Sequence, residues 1–516
     1  MSDPSPVDVL HDSTRHGEAP GHPERLVPFR PLDPSNRPSP FKSYPDLSAV
    51  RLPRTIVRSS VPATEVLSGG HGPAGALDDE LLGTLLFLAA GVTRFTAGGL
   101  GGEERVWFRT AMSAGNLHPV ELYLVRSGVH HYDPLDHALT PLRGSDEVSD
   151  PGGGATLVLT GIPFRTCWKY GERGWRHLWW DAGTMVANLL AAAAAHGVAT
   201  RVVTAFADDA VTELVGIDGV EEMPLVLVEL GTPAVAVPPA GSLDALAART
   251  LPVAPRVLRF PLVDEAQAAG ALDHAGVAGW RRAATAVSRP APEEVDRPAR
   301  AVGALGDQAV EDVILRRGST RVFGTERAPS DLLEWTVPAA ARSAAFDAAP
   351  GATLIEHFVN VHDVEGVEAG GYRYSGEGRF EERVRVDDVR AAGAGLCLGQ
   401  PLGGDSAFTV FHAAVLGSLS SALGPRGYRV AQLEAGVVSG RLSLNAFALG
   451  GGATGLTFYD SLVSRYFHTD ASPLLATAVG VPDTPPAPSG SPGLPVELRG
   501  YGNVMTRLAA RLSRSS

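Results

Sequence analysis

An internal echo constrains this 516-residue chain more than any other feature. TCWKYGERGWRHLWWDAG, from Thr166 to Gly183, and GPRGYRVAQLEAG, from Gly424 to Gly436, share an Arg-Gly-aromatic-Arg core followed by an acidic residue, Ala and Gly. The register is kept, because Gly174 to Gly183 and Gly427 to Gly436 each lie nine residues apart. A repeat this long is no solenoid unit, so the chain reads as two copies of one domain, a fused dimer. Only the first copy carries the Lys169-Tyr170 pair.

The surroundings of the two motifs follow one plan. In the first block, 49–236, a helix over Asp78–Ala90 precedes the strand VELYLV, the hairpin VHHYDPLDHALTPL and the strand ATLVLTGI. The motif then leads into DAGTMVANLLAAAAAHG, apolar on nearly every face and therefore a central buried helix, and the block closes on the strand MPLVLVELG. The second block, 301–484, repeats the order with QAVEDVILRR, TLIEHFVNVHDV, GGYRYSGEGRFEERV, FTVFHAAVL, the motif, its helix and GLTFYD. Residues 1–48 read as a mobile Pro-rich tail, 237–300 as an Ala/Pro-rich linker with one or two helices, and 485–516 as a loop-like extension.

A formal charge of −13 argues against a nucleic-acid-binding surface, while leaving room for a local basic pocket. Two cysteines outside any CxxC pattern, no secretory signal and no apolar run long enough to span a bilayer predict a soluble cytoplasmic protein without a membrane partner. His130, His131, Asp133, Asp136 and His137 would alternate faces on their hairpin, so no metal site is expected there.

Three stretches carry chemistry. In RRGSTRVF, Arg317, Ser319 and Arg321 place two guanidinium forks and a hydroxyl on alternate positions, which suits a phosphate dianion; from spacing alone a solvated basic helix end is the more ordinary reading. In FRTAMSAGNLHPV, the small residues Ser113, Ala114 and Gly115 allow close approach of a flat ligand, and Asn116 offers a donor and an acceptor to a heteroaromatic edge; a plain tight loop fits the same residues. GGGATG, residues 450–455, matches a dinucleotide turn only formally, since it follows a helix and precedes a strand. Gly452 and Gly455 stay candidates for backbone approach to a ligand.

Together these motifs resemble nitroreductase-like flavoproteins. More narrowly, RTAMSAGNLHPVELYLV, GVHHYDP, KYGERGWRHLWWDAG and MPLVLVELG resemble, in order, the SagB-type azoline dehydrogenases of thiazole/oxazole-forming peptide pathways. The resemblance implies an α+β fold of two tandem nitroreductase-like sandwich domains forming an intramolecular pseudo-dimer, with FMN at their interface. It assigns the FMN phosphate to Arg317, Ser319 and Arg321 of one half, and the ring and ribityl to the loop of Ser113 and Asn116 in the other. Each half lacks the motif that its partner keeps, which implies one FMN per chain. Met112 and Gly318 depart from the family pattern beside these motifs.

The implied reaction converts an azoline to an azole in a modified peptide, with Lys169 and Tyr170 as base and electrostatic partner in either order. Both are protonated in water, so a base needs burial or a nearby cation, for which Arg173 and Arg176 are candidates. The implied partners are the peptide and an azoline-forming cyclodehydratase, and a higher oligomer is compatible. An NAD(P)H-dependent nitroreductase acting on another natural-product intermediate and a non-catalytic scaffold are the alternatives.

Overall fold

The computed structural model describes residues 4–16, 30–97, 105–148, 152–298, 308–324, 326–376 and 378–498. A hairpin comes first among the strands used below, β1 (Val92–Ala97) and β2 (Arg105–Arg109). It is followed by β3 (Val120–Val125), β4 (Val129–Asp133), β5 (Ala138–Arg143), β6 (Ala155–Gly161), β7 (Thr200–Val203) and β8 (Met223–Leu230). These six form an antiparallel sheet in the order β5-β4-β3-β6-β8-β7, extended at the β5 edge by Val50–Arg51. The second half supplies β9 (Glu356–Val361), β10 (Gly370–Tyr374), β11 (Phe380–Val384), β12 (Phe408–Ala414), β13 (Gly452–Leu456) and β14 (Ser472–Gly480). Their order is β11-β10-β9-β12-β14-β13, the same pattern again. A short strand near the end of the described chain, β15 (Val496–Glu497), pairs in parallel with β1.

Each sheet sends one long helix out of its central strand. Gly174–Ala195 connects β6 to β7, and Leu416–Ala448 connects β12 to β13. Both are buried along nearly their whole length after Gly174 and Leu423, and they pack against each other. The glycines of the repeated motif explain how closely. A Cβ on Gly183 would stand 2.5 Å from the Leu433 carbonyl oxygen, and one on Gly436 would stand 2.6 Å from the Trp180 carbonyl oxygen. A glycine inside a helix costs about 1 kcal/mol relative to alanine; here backbone-to-backbone contact between the two helices requires it.

The motif itself is more helical than its Gly content suggests. Instead of a turn before the helix, Pro163–Tyr170 is a helix, Gly171–Arg173 is a single 3₁₀ turn, and the long helix starts at Gly174. In the second half the helix already runs from Leu416, interrupted only at Gly424 with φ 60°.

The expected mobile tail is corrected in part. Pro6–Ser13 is a helix capped by Ser5, with Val7 and Leu10 wholly buried. Arg176 Nη2 donates to the His11 carbonyl oxygen at 2.6 Å, and His11 Nδ1 meets Tyr428 Oη at 3.0 Å. Residues 1–3 and 17–29 of that tail lie outside the described residues, as do 301–307 of the expected second block and 499–516 of the expected extension. The linker contains two helices, Pro261–Ala269 and His274–Val287. Its next segment threads between the halves: Arg289–Pro290 pairs with Ala352–Thr353, and Val295 N donates to the Ser68 carbonyl oxygen at 2.9 Å. Among the described residues no helix is long and apolar enough to cross a membrane.

Candidate active site

A cavity of about 720 Å³ opens where the two halves meet, inside the range of about 300–1,000 Å³ usual for small-molecule sites. The first half contributes β2 and the loop ahead of β3, with Met112, Ser113 and Asn116. The second half contributes Arg316–Arg321, which follow the helix Val310–Arg316, and the Pro-rich segment 482–488. Arg317, Ser319, Arg321, Ser113 and Asn116 therefore line one space, although about 200 residues separate the two motifs in the chain.

The electrostatics of that space are one-sided. Five arginines, Arg94, Arg109, Arg316, Arg317 and Arg321, line it against two acids, Asp483 and Glu497. Among the described residues none of the five forms an ion pair with a carboxylate. Burial pulls Arg317 down to about 9, helped by the neighbouring Arg94, and burial alone pulls Arg94 down to about 10. Arg317 Nη2 donates to the Thr110 carbonyl oxygen, while its Nε is buried without a partner. Buried cations held by carbonyl oxygens and not by carboxylates leave their charge available to an anion.

Arg94 fastens the Pro-rich segment over this region. Its Nε donates to the Pro488 carbonyl oxygen at 2.8 Å, and its Nη1 to the Arg317 carbonyl oxygen at 3.0 Å. Its Nη2 reaches Leu315 O at 2.5 Å, Ser489 Oγ at 2.7 Å and Ala487 O at 3.3 Å. Arg94 belongs to none of the sequence motifs; its only signal there is a cation among apolar residues in the strand VTRFTA.

The loop ahead of β3 is tightly wound, with φ of 63° at Gly115, 58° at Asn116 and 48° at His118. Asn116 Nδ2 donates to the Trp107 carbonyl oxygen at 2.7 Å. Ser113 Oγ donates to Asp181 Oδ2 at 2.6 Å, and Ala114 N donates to Asp181 Oδ1 at 3.0 Å. Burial pushes the Asp181 carboxyl up to about 7 against those two hydrogen bonds and the more distant Arg109. Asp181 is a second site residue outside the sequence candidates, although an acid recurs at this place in both motif copies.

Lys169, Tyr170, Ala114 and Gly115 do not line the cavity; the Lys-Tyr pair stands against Gly115, between the lining residues Ser113 and Asn116 in the chain. A Cβ on Gly115 would lie 2.6 Å from Tyr170 Oη and 3.3 Å from Lys169 Nζ, so only glycine fits. Partial burial lowers the Lys169 ammonium, as do the nearby cations Arg37 and Arg321. Tyr170 moves the other way, up to about 12, through burial and the Asp181 carboxylate, with Arg321 opposing. The cations near this pair are thus Arg37 and Arg321. Arg173 and Arg176, the sequence candidates, are buried against Asp460 at 3.0 and 2.9 Å, where they also tie down Thr14 and the N-terminal helix.

Gly452 and Gly455 lie on β13, outside the cavity lining. Gly452 lets the Thr320 side chain close against the strand, and Thr320 N donates to the Ala453 carbonyl oxygen at 2.9 Å, which fixes the Arg317–Arg321 segment from behind. Gly455 is the exposed residue of that strand. On the hairpin, His131 pairs with Glu121 at 2.8 Å and His137 with Tyr132 at 2.9 Å.

The residues present fit FMN. The cavity has the volume, its arginines and the Ser319 hydroxyl suit a phosphate, and the orphaned Arg317 Nε is a donor waiting for an acceptor.

Comparison with known proteins agrees with this chemistry. Residues 74–232 match the Nitroreductase family model. A Methanocaldococcus jannaschii protein, assigned by inference as a nitroreductase, is 31% identical over 168 residues, covering 29% of this chain and 78% of its own. A crystal structure from Anabaena variabilis, assigned likewise, shares the fold over 93% of this chain and 99% of its own, with a TM-score of 0.67 and 24% identity. A chain of the E. coli microcin synthetase complex, solved with a truncated pro-peptide bound, matches over 44% of this chain and 91% of its own at 22% identity. The TM-score of that match is 0.26.

Proposed function

Because this chain belongs to the nitroreductase family, we propose that it is an FMN-dependent dehydrogenase that oxidises azoline rings to azoles in a ribosomally made peptide. One observation carries the reading: the loop that lines the arginine-rich cavity with Ser113 and Asn116 rests, through Gly115, on the Lys169-Tyr170 pair. That pair beside such a loop is the most specific element of the likeness to the azoline dehydrogenases.

In this reading the blocks 49–236 and 301–484 form an intramolecular pseudo-dimer, supported by their matching strand orders and the paired long helices. Arg317, Ser319 and Arg321 would hold the FMN phosphate, and the Ser113–Asn116 loop would lie along the ring and ribityl. FMN, when bound, supplies an acceptor for two electrons. The chain supplies the proton acceptor. Lys169, with its ammonium destabilised by burial and two cations, is the better base, whereas Tyr170, held protonated, can only donate. One FMN per chain is the stoichiometry this reading expects, because each half lacks the motif that the other keeps; the linker contacts support it, since Arg289–Pro290 pairs with Ala352–Thr353 and Val295 N donates to the Ser68 carbonyl oxygen. Azolines arise by cyclodehydration of Cys, Ser or Thr, so an azoline-forming cyclodehydratase would act before this enzyme.

The deciding experiment counts flavin released per chain and then offers an azoline peptide to the loaded protein. About one FMN per chain and a mass loss of about 2 Da per ring, the two hydrogens removed in forming an azole, are expected. Two flavins refute the single site, and none after reconstitution refutes the flavoenzyme. The family match favours one alternative, an NAD(P)H-dependent nitroreductase. Rapid NADPH-driven nitro reduction without azoline oxidation would select it.

A further inference from the structure

We propose that Asp181 is the positioning residue of the flavin site: it sets the loop that faces the cofactor, acting through Ser113 and Ala114. The inference rests on the flavin reading above and deepens it.

Asp181 sits seven residues after Gly174 on the first long helix, buried and without a cationic partner at salt-bridge distance among the described residues. Its two oxygens are both spent on the loop, one on Ser113 Oγ and one on Ala114 N. Ser113 Oγ in turn accepts from His118 N at 2.8 Å, which closes the loop on itself. The serine hydroxyl is therefore bonded within the protein and is not turned towards a ligand. Its effect on a cofactor is to hold Met112 and Asn116 at the cavity wall and Gly115 against Tyr170.

The second half provides an internal control. Glu434 stands seven residues after Gly427 on the other long helix. It too is buried and accepts from Leu354 N at 2.9 Å, while the neighbouring Thr353 hydroxyl donates to the Ile355 carbonyl oxygen at 3.2 Å. Ile355 N donates to Thr353 Oγ1 at 3.2 Å, as His118 N does to Ser113 Oγ. Thus a buried carboxylate holds a loop amide at the matching place in each half, and only the Asp181 clamp, which also takes the Ser113 hydroxyl, borders the arginine cavity. A merely structural role predicts equal consequences at the two places, and a positioning role predicts unequal ones.

The test measures FMN dissociation constants by fluorescence quenching on apo-protein, alongside urea midpoints, for Asp181→Ala, Asp181→Asn and Glu434→Ala. Loss of the clamp at Asp181 should raise the FMN Kd at least about tenfold, with about threefold or more for the isosteric Asn. Glu434→Ala should lower the urea midpoint but keep the Kd within about twofold. Should Asp181→Ala fail to fold, Asp181→Asn, which still offers Ala114 N an acceptor, decides the matter. An unchanged Kd in the Asp181 variants, or an equal rise in Glu434→Ala, overturns the inference and leaves the flavin reading standing. Wild-type protein that takes up no FMN overturns both.

Discussion

Replacing Arg94 by methionine should loosen the Pro-rich wall of the cavity far more than it destabilises the whole protein. Arg94 donates five hydrogen bonds, at 2.5 to 3.3 Å, to Leu315 O, Arg317 O, Ala487 O, Pro488 O and Ser489 Oγ. At about 1 kcal/mol net each, their loss costs about 5 kcal/mol. The burial that pulls the guanidinium from 12.5 to about 10 opposes folding of the charged group by about 3 kcal/mol, which an uncharged side chain recovers. The net global loss is therefore about 2 kcal/mol. The local loss is not offset, because the acceptors on the 487–489 segment lose their anchor whatever the charge. Hydrogen exchange separates the two. Gly490 N and Leu498 N, bonded to the Thr93 and Phe95 carbonyl oxygens, should exchange at least about tenfold faster, beyond any change in the amides of β6 and β8. FMN affinity should fall in parallel. A uniform change across all amides, or a global loss above about 5 kcal/mol, would refute the reasoning, since the charge would then have been a net stabiliser.

Gly115→Ala should destabilise by about 1–2 kcal/mol, from the φ of 63° and the clash with Tyr170 Oη, and should cost turnover more than it costs FMN affinity; steady-state kinetics beside flavin titration check this. Asp181→Asn should change the pH dependence of stability. The folded Asp181 keeps a proton between about pH 4 and 7 that the unfolded chain has released, so the wild type loses stability as pH rises through that window. Relative to wild type the Asn variant should gain up to about 3 kcal/mol between pH 5 and 7 in urea titrations, and a gain in the opposite direction would sink the assignment. Lys169→Ala should leave FMN bound and abolish azoline oxidation. In the wild type the rate should rise with pH through a value below the ordinary lysine pKa of about 10.4, because the deprotonated amine is the active form.

Much of the architecture is legible in the repeated motif, because glycines at matched places in two apolar helices can be explained by those helices meeting. The motif residues that line the cavity are legible for a similar reason: two incomplete halves imply one shared site. What escapes the sequence depends on partners far away in the chain. Pro6–Ser13 is too short to show a helical period and holds its shape through burial of Val7 and Leu10 and through Arg176. The segment 482–488 reads as loop, and nothing local says that Arg94 pins its end across the cavity. Ser113 is the instructive case. Its residue type suggests a hand extended to a ligand, whereas a buried carboxylate had already taken it.

With both walls of the cavity on one polypeptide, the site forms by an intramolecular step whose yield does not change on dilution, unlike a cofactor site shared between separate subunits. Evolution also meets a different object. In a symmetric pair every substitution arrives in duplicate and must suit both places at once. Here each arrives singly, so one wall of the cavity can change while the other is kept.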